Sequence, residues 1–304
     1  MDLMTRRTLL TLPALGLAAT PKLNPVRLGG PIFLDSEDPE ALAREHKRLG
    51  YAAAYCPKVT LQDTERIQAI RSAFQKQGVV ISEVGAWVNL LDPDSEKRNK
   101  NFTYVAERLA LADAVGSLCC VDIAGSYNEK VWYGPHMKNL SKEFFDATVE
   151  TSRKLIDQVK PRRTKYTVEM MGWNIPDGPD SYLDLIRAID RKAFGVHIDI
   201  CNGVNSPRRF YQNADFIREC FSKLGPHIVS CHAKDLEWVP EMNMHFVEVI
   251  PGRGSVDYRI YLEEVAKLAH QPPLMLEHLK SAAEYDEARL HIRKIGDTHK
   301  IPFA

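Results

Sequence analysis

Several things are scarce in this 304-residue chain, and each scarcity narrows what it can be. There is no surplus of charge: 40 Lys and Arg balance 40 Asp and Glu, so no global field favours nucleic acid or an anionic membrane surface. Cysteine is sparse, with Cys56, Cys119, Cys120, Cys201, Cys220 and Cys231 and no Cys-x-x-Cys pair, which gives no support to a zinc ribbon or a redox motif. These thiols sit in or beside apolar runs and read as packing residues. No low-complexity tract, internal repeat or Pro/Ser-rich linker divides the chain, so a single domain is expected. Stable membrane insertion is not expected either. The partner expected from this balance is a small, weakly charged molecule.

What is present begins with an N-terminal address. Thr5-Arg6-Arg7-Thr8-Leu9-Leu10 leads into an apolar, small-residue stretch ending near Thr20, too short to span a bilayer. Residues 1–20 therefore read as a twin-arginine export signal, and the protein is expected in the periplasm or beyond. From residue 24 onward, eight β-rich runs alternate with stretches of helical period. The strands are expected near Val26–Phe33, Tyr51–Cys56, Val79–Trp87, Leu118–Gly125, Tyr166–Gly172, Gly195–Cys201, Ile228–Ala233 and Leu274–Leu279. Apolar residues at helical spacing, such as Ile67, Ile70 and Phe74, lie between them, and Gly50, Gly78 and Gly225 mark helix ends. Eight strand–helix units over about 250 residues define a (β/α)8 TIM barrel of class α/β, from 24 to 304.

Four of these runs end in a residue able to hold a metal: Glu169, Asp199, His232 and Glu277, in steps of 30, 33 and 45 residues. A barrel gathers the C-terminal ends of its strands on one face, so these four become neighbours. Three carboxylates and one imidazole suit one divalent ion, Mn2+ first, with Mg2+, Co2+ and Zn2+ as alternatives. Four protein ligands leave an octahedral ion with open positions for substrate oxygens. Taken singly, a carboxylate at a strand end is an ordinary surface residue; the recurrence at one relative place in four units carries the reading.

Val168-Glu169-Met170, His197-Ile198-Asp199-Ile200-Cys201-Asn202, Cys231-His232-Ala233-Lys234-Asp235, Pro251-Gly252-Arg253-Gly254-Ser255-Val256-Asp257-Tyr258 and Leu276-Glu277-His278 together resemble the xylose-isomerase-like TIM barrel superfamily of sugar isomerases and epimerases. The resemblance implies that Glu169, Asp199, His232 and Glu277 ligate the ion, and that Glu169 and Glu277 also act as acid and base. A Lewis acid on a carbonyl makes the adjacent C–H removable and stabilises an enediolate, so one carboxylate can take a proton and the other return it. Two departures matter. Asn202 stands where many epimerases carry a histidine, and asparagine cannot shuttle a proton. Arg253 stands where an acidic residue is common.

Further candidates surround these. Trp87 and Trp173 lead the substrate-stacking set, with Trp132, Tyr133 and Trp238 behind them. Asn202, Lys234, Arg253 and His245 are read as substrate contacts, with Lys234 alternatively paired to Asp235. Glu83 and Asn89 are weaker candidates, and His278 is expected to face away from Glu277. Arg208-Arg209 read as a solvent-facing pair, or as readers of an anionic group. The loops Asn89–Asn101, Ser126–Asn139, Asn202–Asn213 and Leu236–Arg253 are expected to roof the site. The expected activity is metal-dependent sugar isomerisation or epimerisation. The alternatives are a lyase that β-eliminates from 3-keto-glycosides or inososes, and a non-catalytic sugar-binding barrel. A homo-oligomer is expected by the same resemblance.

Overall fold

The computed structural model describes residues 22–304, so the export signal assigned to 1–20 lies outside the described residues. Eight strands close into a parallel barrel: β1 (Leu28–Gly29), β2 (Ala53–Tyr55), β3 (Val80–Gly85), β4 (Cys119–Asp122), β5 (Lys165–Glu169), β6 (Phe194–Asp199), β7 (Ile228–Ala233) and β10 (Leu274–Leu276). β10 pairs with both β7 and β1, which completes the ring. Each expected strand overlaps one of these. β7 has the expected bounds and β5 and β6 begin one residue earlier than expected; all but β7 are shorter, most of all β1, because the expected runs continue into loop backbone at the strand ends.

The helices α1 (Pro39–Arg48), α2 (Thr64–Gln77), α3 (Ser95–Val115), α4 (Lys142–Val159) and α5 (Pro179–Ile189) follow the first five strands. α6 (Ile200–Gly203), α7 (Pro207–Tyr211) and α8 (Asn213–Leu224) follow β6, α9 (Tyr258–Lys267) precedes β10, and α10 (Ala282–His299) follows it. Side-chain caps start them where the sequence changes period: Asp38, Asp63, Asp94, Ser141, Asp257 and Ser281 each accept from the first turn of a helix. The core lies between barrel and helices, with Ile70, Phe74, Leu109, Leu155, Leu185, Ile217, Leu262 and Ile292 fully buried. Gly29 is required by close approach, since a Cβ there would stand 2.5 Å from Met275 Sδ and 2.6 Å from the carbonyl oxygen of Ala53. All six cysteines are free thiols. No helix among the described residues is long and apolar enough to cross a membrane.

The loop after β7 departs from the expectation of irregular structure. It folds into an antiparallel ribbon of β8 (Asp235–Trp238) and β9 (Phe246–Val249), with Leu236 opposite Glu248 and Trp238 opposite Phe246.

His46 supplies a pH handle on stability remote from the barrel mouth. It is 4% exposed, donates from Nδ1 to the Leu42 carbonyl at 2.8 Å and packs against Phe74 and Tyr51. Burial lowers its pKa from the usual 6.5. The unfolded chain therefore binds the proton more readily, and the stability His46 contributes is present above about pH 6.5 and lost as pH falls toward the lower folded value. Between pH 7.5 and 5.5 the Tm of His46→Met is expected to fall less than that of the wild type, read by thermal unfolding at each pH. Equal slopes would refute this.

Candidate active site at the C-terminal end of the barrel

Register decides which side chains meet. Asp199 on β6 lies directly opposite His232 on β7, and His232 opposite Met275 on β10, two residues before Glu277. Glu169 ends β5 opposite His197. The donor atoms of Glu169, Asp199, His232 and Glu277 consequently fall within 4.8 Å of one another. His232 Nδ1 stands 2.6 Å from Glu169 Oε1, 3.0 Å from Glu277 Oε1 and 3.6 Å from Asp199 Oδ2.

Unmet hydrogen bonds in this donor set bear on whether it fits a cation. Asp199 Oδ2 and Glu277 Oε1 are buried and accept no hydrogen bond of ordinary geometry, although Lys234 Nζ lies 2.9 and 3.2 Å away. One ammonium serves both oxygens and Glu169 meets only the His232 ring, so three buried carboxylates share few positive charges and a further cation would offset them. Three hard oxygens and one imidazole nitrogen around a common point fit a divalent cation.

Lys234 is itself nearly buried and bridges the cluster to the ribbon. Its ammonium contacts Asp199, Glu277, Glu248 Oε1 at 3.1 Å and Asn202 Oδ1 at 2.8 Å. Burial alone would lower its pKa, but Asp199, Glu277, Glu169 and Glu248 overcome that and hold the ammonium charged. Asp235 is not its partner. The Asp235 carboxylate instead accepts the backbone N–H groups of Leu236, Gly252, Gly254 and Val256 at 2.8–3.0 Å. The two motif pieces thus form one latch: His232 and Lys234 face the cluster, Asp235 grips the glycine turn, and Asp257 caps α9. Gly252 has φ +101°, and a Cβ on Gly254 would run into the Asp235 carboxylate and the Leu236 carbonyl, so this grip needs glycine at both positions.

Above the cluster opens a cavity of about 900 Å³. Glu169, Asn202, Glu248, Glu277 and His278 supply polar groups, while Tyr55, Trp87, Trp132, Tyr133, Trp173 and Phe246 supply aromatic walls. The Trp87 ring sits 6.4 Å from that of His232. His245 also lines the cavity, half exposed, with Nδ1 3.2 Å from Glu241.

Other candidates fall elsewhere. Arg253 is turned outward into a two-point ion pair with Glu287 of α10, at 2.6 and 2.8 Å, and does not line the cavity. Trp238, on the ribbon, is outside the cavity as well. Arg209 braces a loop, donating to the carbonyls of Asp177 and Gly203 and lying over the Phe216 ring, whereas Arg208 is exposed. Asn89 ties the loops after β3 and β4 by accepting from Leu91 and Ser126 and donating to the Ser126 carbonyl. His278 reverses its expectation: with φ +60° it is not in strand conformation, and it faces the cavity, its Nδ1 2.9 Å from Glu248 Oε2 and its Nε2 3.6 Å from Glu277.

Sequence reasoning passed over Glu248 and His197. Glu248 lies within a segment read as loop, though Phe246-Val247-Glu248-Val249 has the aromatic and β-branched composition of a strand. His197 lies fully buried beneath the cluster, its Nε2 3.1 Å from Glu83 Oε2.

A closed eight-stranded parallel barrel with a carboxylate–imidazole cluster at the C-terminal ends of its strands is the plan of a barrel enzyme site. The chain belongs to the xylose isomerase-like TIM barrel family, whose model matches residues 40–295. Compared with curated protein sequences, the chain has no match. Among solved structures it is similar to endonuclease IV from Thermus thermophilus, at 16% identity and a TM-score of 0.66, covering 90% of this chain and 99% of that one. It is similar to 3-keto-D-glucoside 4-epimerase from E. coli at 13% identity, with a TM-score of 0.63, covering 90% and 99%. A xylose isomerase-like TIM barrel protein from Mycobacterium smegmatis in complex with magnesium is 20% identical, with a TM-score of 0.60, covering 86% and 89%. At these identities the likeness is one of fold, and function rests on the site.

Proposed function

We propose that the protein is a divalent-metal-dependent carbohydrate isomerase or epimerase, with Glu169, Asp199, His232 and Glu277 holding the ion. The observation that carries this reading is the meeting of three carboxylates and an imidazole nitrogen, two of the carboxylate oxygens sharing a single ammonium, at the floor of an aromatic-walled cavity. A magnesium-bound relative supports a divalent ion, with Mn2+ preferred and Mg2+, Co2+ or Zn2+ able to substitute. When bound, the ion supplies Lewis acidity that makes a C–H beside a carbonyl acidic.

The chain's own groups do the rest. Glu169 closes β5 and Glu277 follows β10, with β6 and β7 between those strands in the ring, and both carboxylates reach His232 Nδ1, so one can remove a proton and the other return it. Burial raises the Glu169 carboxyl above its ordinary range, against the pull of His232; at Glu277, His232 and Lys234 outweigh burial and lower it. Asn202 lines the cavity and can turn its amide to a substrate oxygen, and Trp87 and Trp173 offer flat faces to sugar C–H groups. Lys234, expected as a substrate contact, is instead buried outside the lining and spends its N–H groups on Asp199, Glu277, Glu248 and Asn202. His245 reaches substrate from the ribbon side.

β-Elimination from a 3-keto-glycoside is the second reading, favoured by the cavity's size. About 900 Å³ lies near the top of the range of roughly 300–1,000 Å³ that holds drug-sized ligands, more than one sugar ring fills. Asn202, tied to Lys234, is also no proton carrier. A non-catalytic sugar-binding barrel is disfavoured by the complete ligand set. A nuclease reading has only the barrel in common, because the cavity wall is aromatic and the chain carries no net positive charge. Export through the twin-arginine pattern at Arg6-Arg7 belongs to the same proposal and is checked by fractionating cells that express the full chain.

The deciding experiment is NMR in D2O with metal-loaded protein, ketoses, aldoses and 3-keto-glycosides, and a chelated control. Metal-dependent deuterium incorporation at one carbon is expected, and the product separates isomer, epimer and elimination. Absence of exchange on every carbonyl substrate with metal bound would sink the enzymatic reading.

Metal is also expected to stabilise the fold, by about 2.7 kcal/mol at a hundred times Kd. That gain should shrink as pH falls. Burial alone would lower the His232 pKa, but Glu277, Glu83 and Glu169 outweigh it and hold the ring protonated well above the usual range, and the ring must shed that proton to ligate through Nδ1. Tm with and without a chelator at pH 8 and pH 6 measures both effects. A gap that widens toward pH 6 would contradict the ligand assignment.

A further inference from the structure

The imidazole of His232 has two faces, and the proposed ligand set uses only one. Nδ1 looks up toward Glu169, Glu277 and Asp199, while Nε2 looks down into the barrel, where the atom is fully buried and makes no hydrogen bond of ordinary geometry. Glu83 Oε2 on β3 lies 3.4 Å from that nitrogen. The same oxygen takes a formed hydrogen bond, at 3.1 Å, from His197 Nε2 on β6. Glu83, His197 and His232 come from three different strands and are each 1% exposed or less.

His197 is itself held in place. Its backbone N–H donates to the Tyr182 hydroxyl at 3.0 Å, and its ring meets that of His232 edge-on with centroids 4.2 Å apart. Glu83 is therefore fixed from one side and presents its carboxylate to the underside of the other ring.

Resting on the reading that His232 ligates through Nδ1, we propose that Glu83 is a positioning residue for the metal centre. It accepts the Nε2 proton of His232, which leaves Nδ1 bare and aims the ring at the three carboxylates. A neutral imidazole carries its single proton on one nitrogen, and the partner of the other nitrogen selects which. With no acceptor below, an Nε2–H in the barrel interior would be an orphaned buried donor, and the ring would gain by turning over. Carboxylates that hold a ligating histidine in this way commonly contribute 10–100-fold to metal affinity.

The test uses the full chain, stripped and titrated with Mn2+ and with Co2+, the latter followed by its visible spectrum. Glu83→Gln keeps the shape but removes the negative charge, and the amide sets a weaker neutral oxygen or an N–H at the one position that both imidazoles face. It is expected to weaken Mn2+ binding by about 10–100-fold and to alter the Co2+ spectrum at saturation. Ser82→Ala, which removes the neighbouring buried Ser82–Ser230 hydrogen bond, should leave both unchanged. In Zn2+-loaded wild type, 15N NMR should show His232 protonated at Nε2. The proposal is overturned if Glu83→Gln binds within twofold of wild type, if Ser82→Ala costs as much, or if His232 is bare at Nε2. Two ions per wild-type chain, the second lost in Glu83→Gln, would overturn it by making Glu83 a ligand. A wild type that binds no divalent ion would sink the metal reading itself, an outcome distinct from the others.

Discussion

Glu169→Gln and Glu277→Gln, each assayed at saturating Mn2+, are expected to lose proton exchange by about 10²–10⁴-fold. Gln keeps the side-chain length and one oxygen that can still face a cation, but an amide neither takes nor gives a proton at neutral pH. Metal affinity should therefore fall far less than exchange. Asp199→Asn is the necessary comparison. Asp199 faces the same cluster but is occupied by the Lys234 ammonium and the Asn202 N–H, which leaves it no role in proton transfer. That variant should bind metal more weakly and, once saturated, exchange within about tenfold of wild type. Equal losses in all three would mean that the cluster only holds the ion. Unchanged exchange in both glutamine variants would refute the acid–base assignment.

Asp235→Ala is expected to be the most damaging single change outside the cluster. One carboxylate accepts four backbone N–H groups, and those amides belong to the start of the ribbon and to the glycine turn that leads into α9. Charge-assisted bonds of this kind contribute more than neutral ones, and their loss leaves partly buried donors without acceptors. A cost of about 3 kcal/mol and a fall in Tm of roughly 6–12 °C follow for a domain of this size. The ribbon should loosen first, because β8 begins at Asp235 itself. Hydrogen exchange would show residues 235–249 losing protection before the barrel strands do. Uniform protection with an unchanged Tm would show that the latch carries no load.

The barrel and the meeting of four side chains at its mouth were legible because both signals are local. A β-rich run followed by a helical period marks each unit, and Glu169, Asp199, His232 and Glu277 each end such a run. What escaped depends on contacts that no single segment reports. Glu83 meets His197 only because β3 and β6, separated by β4 and β5 in the ring, face each other across the barrel interior. Locally both look like polar interruptions of apolar strands. His278 was misplaced by the alternation rule, which fails once the backbone leaves strand conformation at φ +60°. Arg253 was read from its neighbours in sequence, but its charge is taken by Glu287, 34 residues further on. The ribbon was hidden by the count: with eight strands already assigned, Phe246–Val249 had no vacant place in a barrel.

The ribbon divides the site by inheritance. Glu169, Asp199, His232 and Glu277 belong to the strands or to their immediate ends, whereas Glu248, Phe246 and His245 arrive on an insertion fastened at Asp235. Exchanging ribbon residues other than Glu248, whose carboxylate holds Lys234 and His278, therefore alters the wall of the cavity without removing a partner of the carboxylates on its floor. In a library built on this scaffold, that short segment is where new ligands would be sought, and Asp235 with its two glycines and Glu248 are the positions to leave untouched.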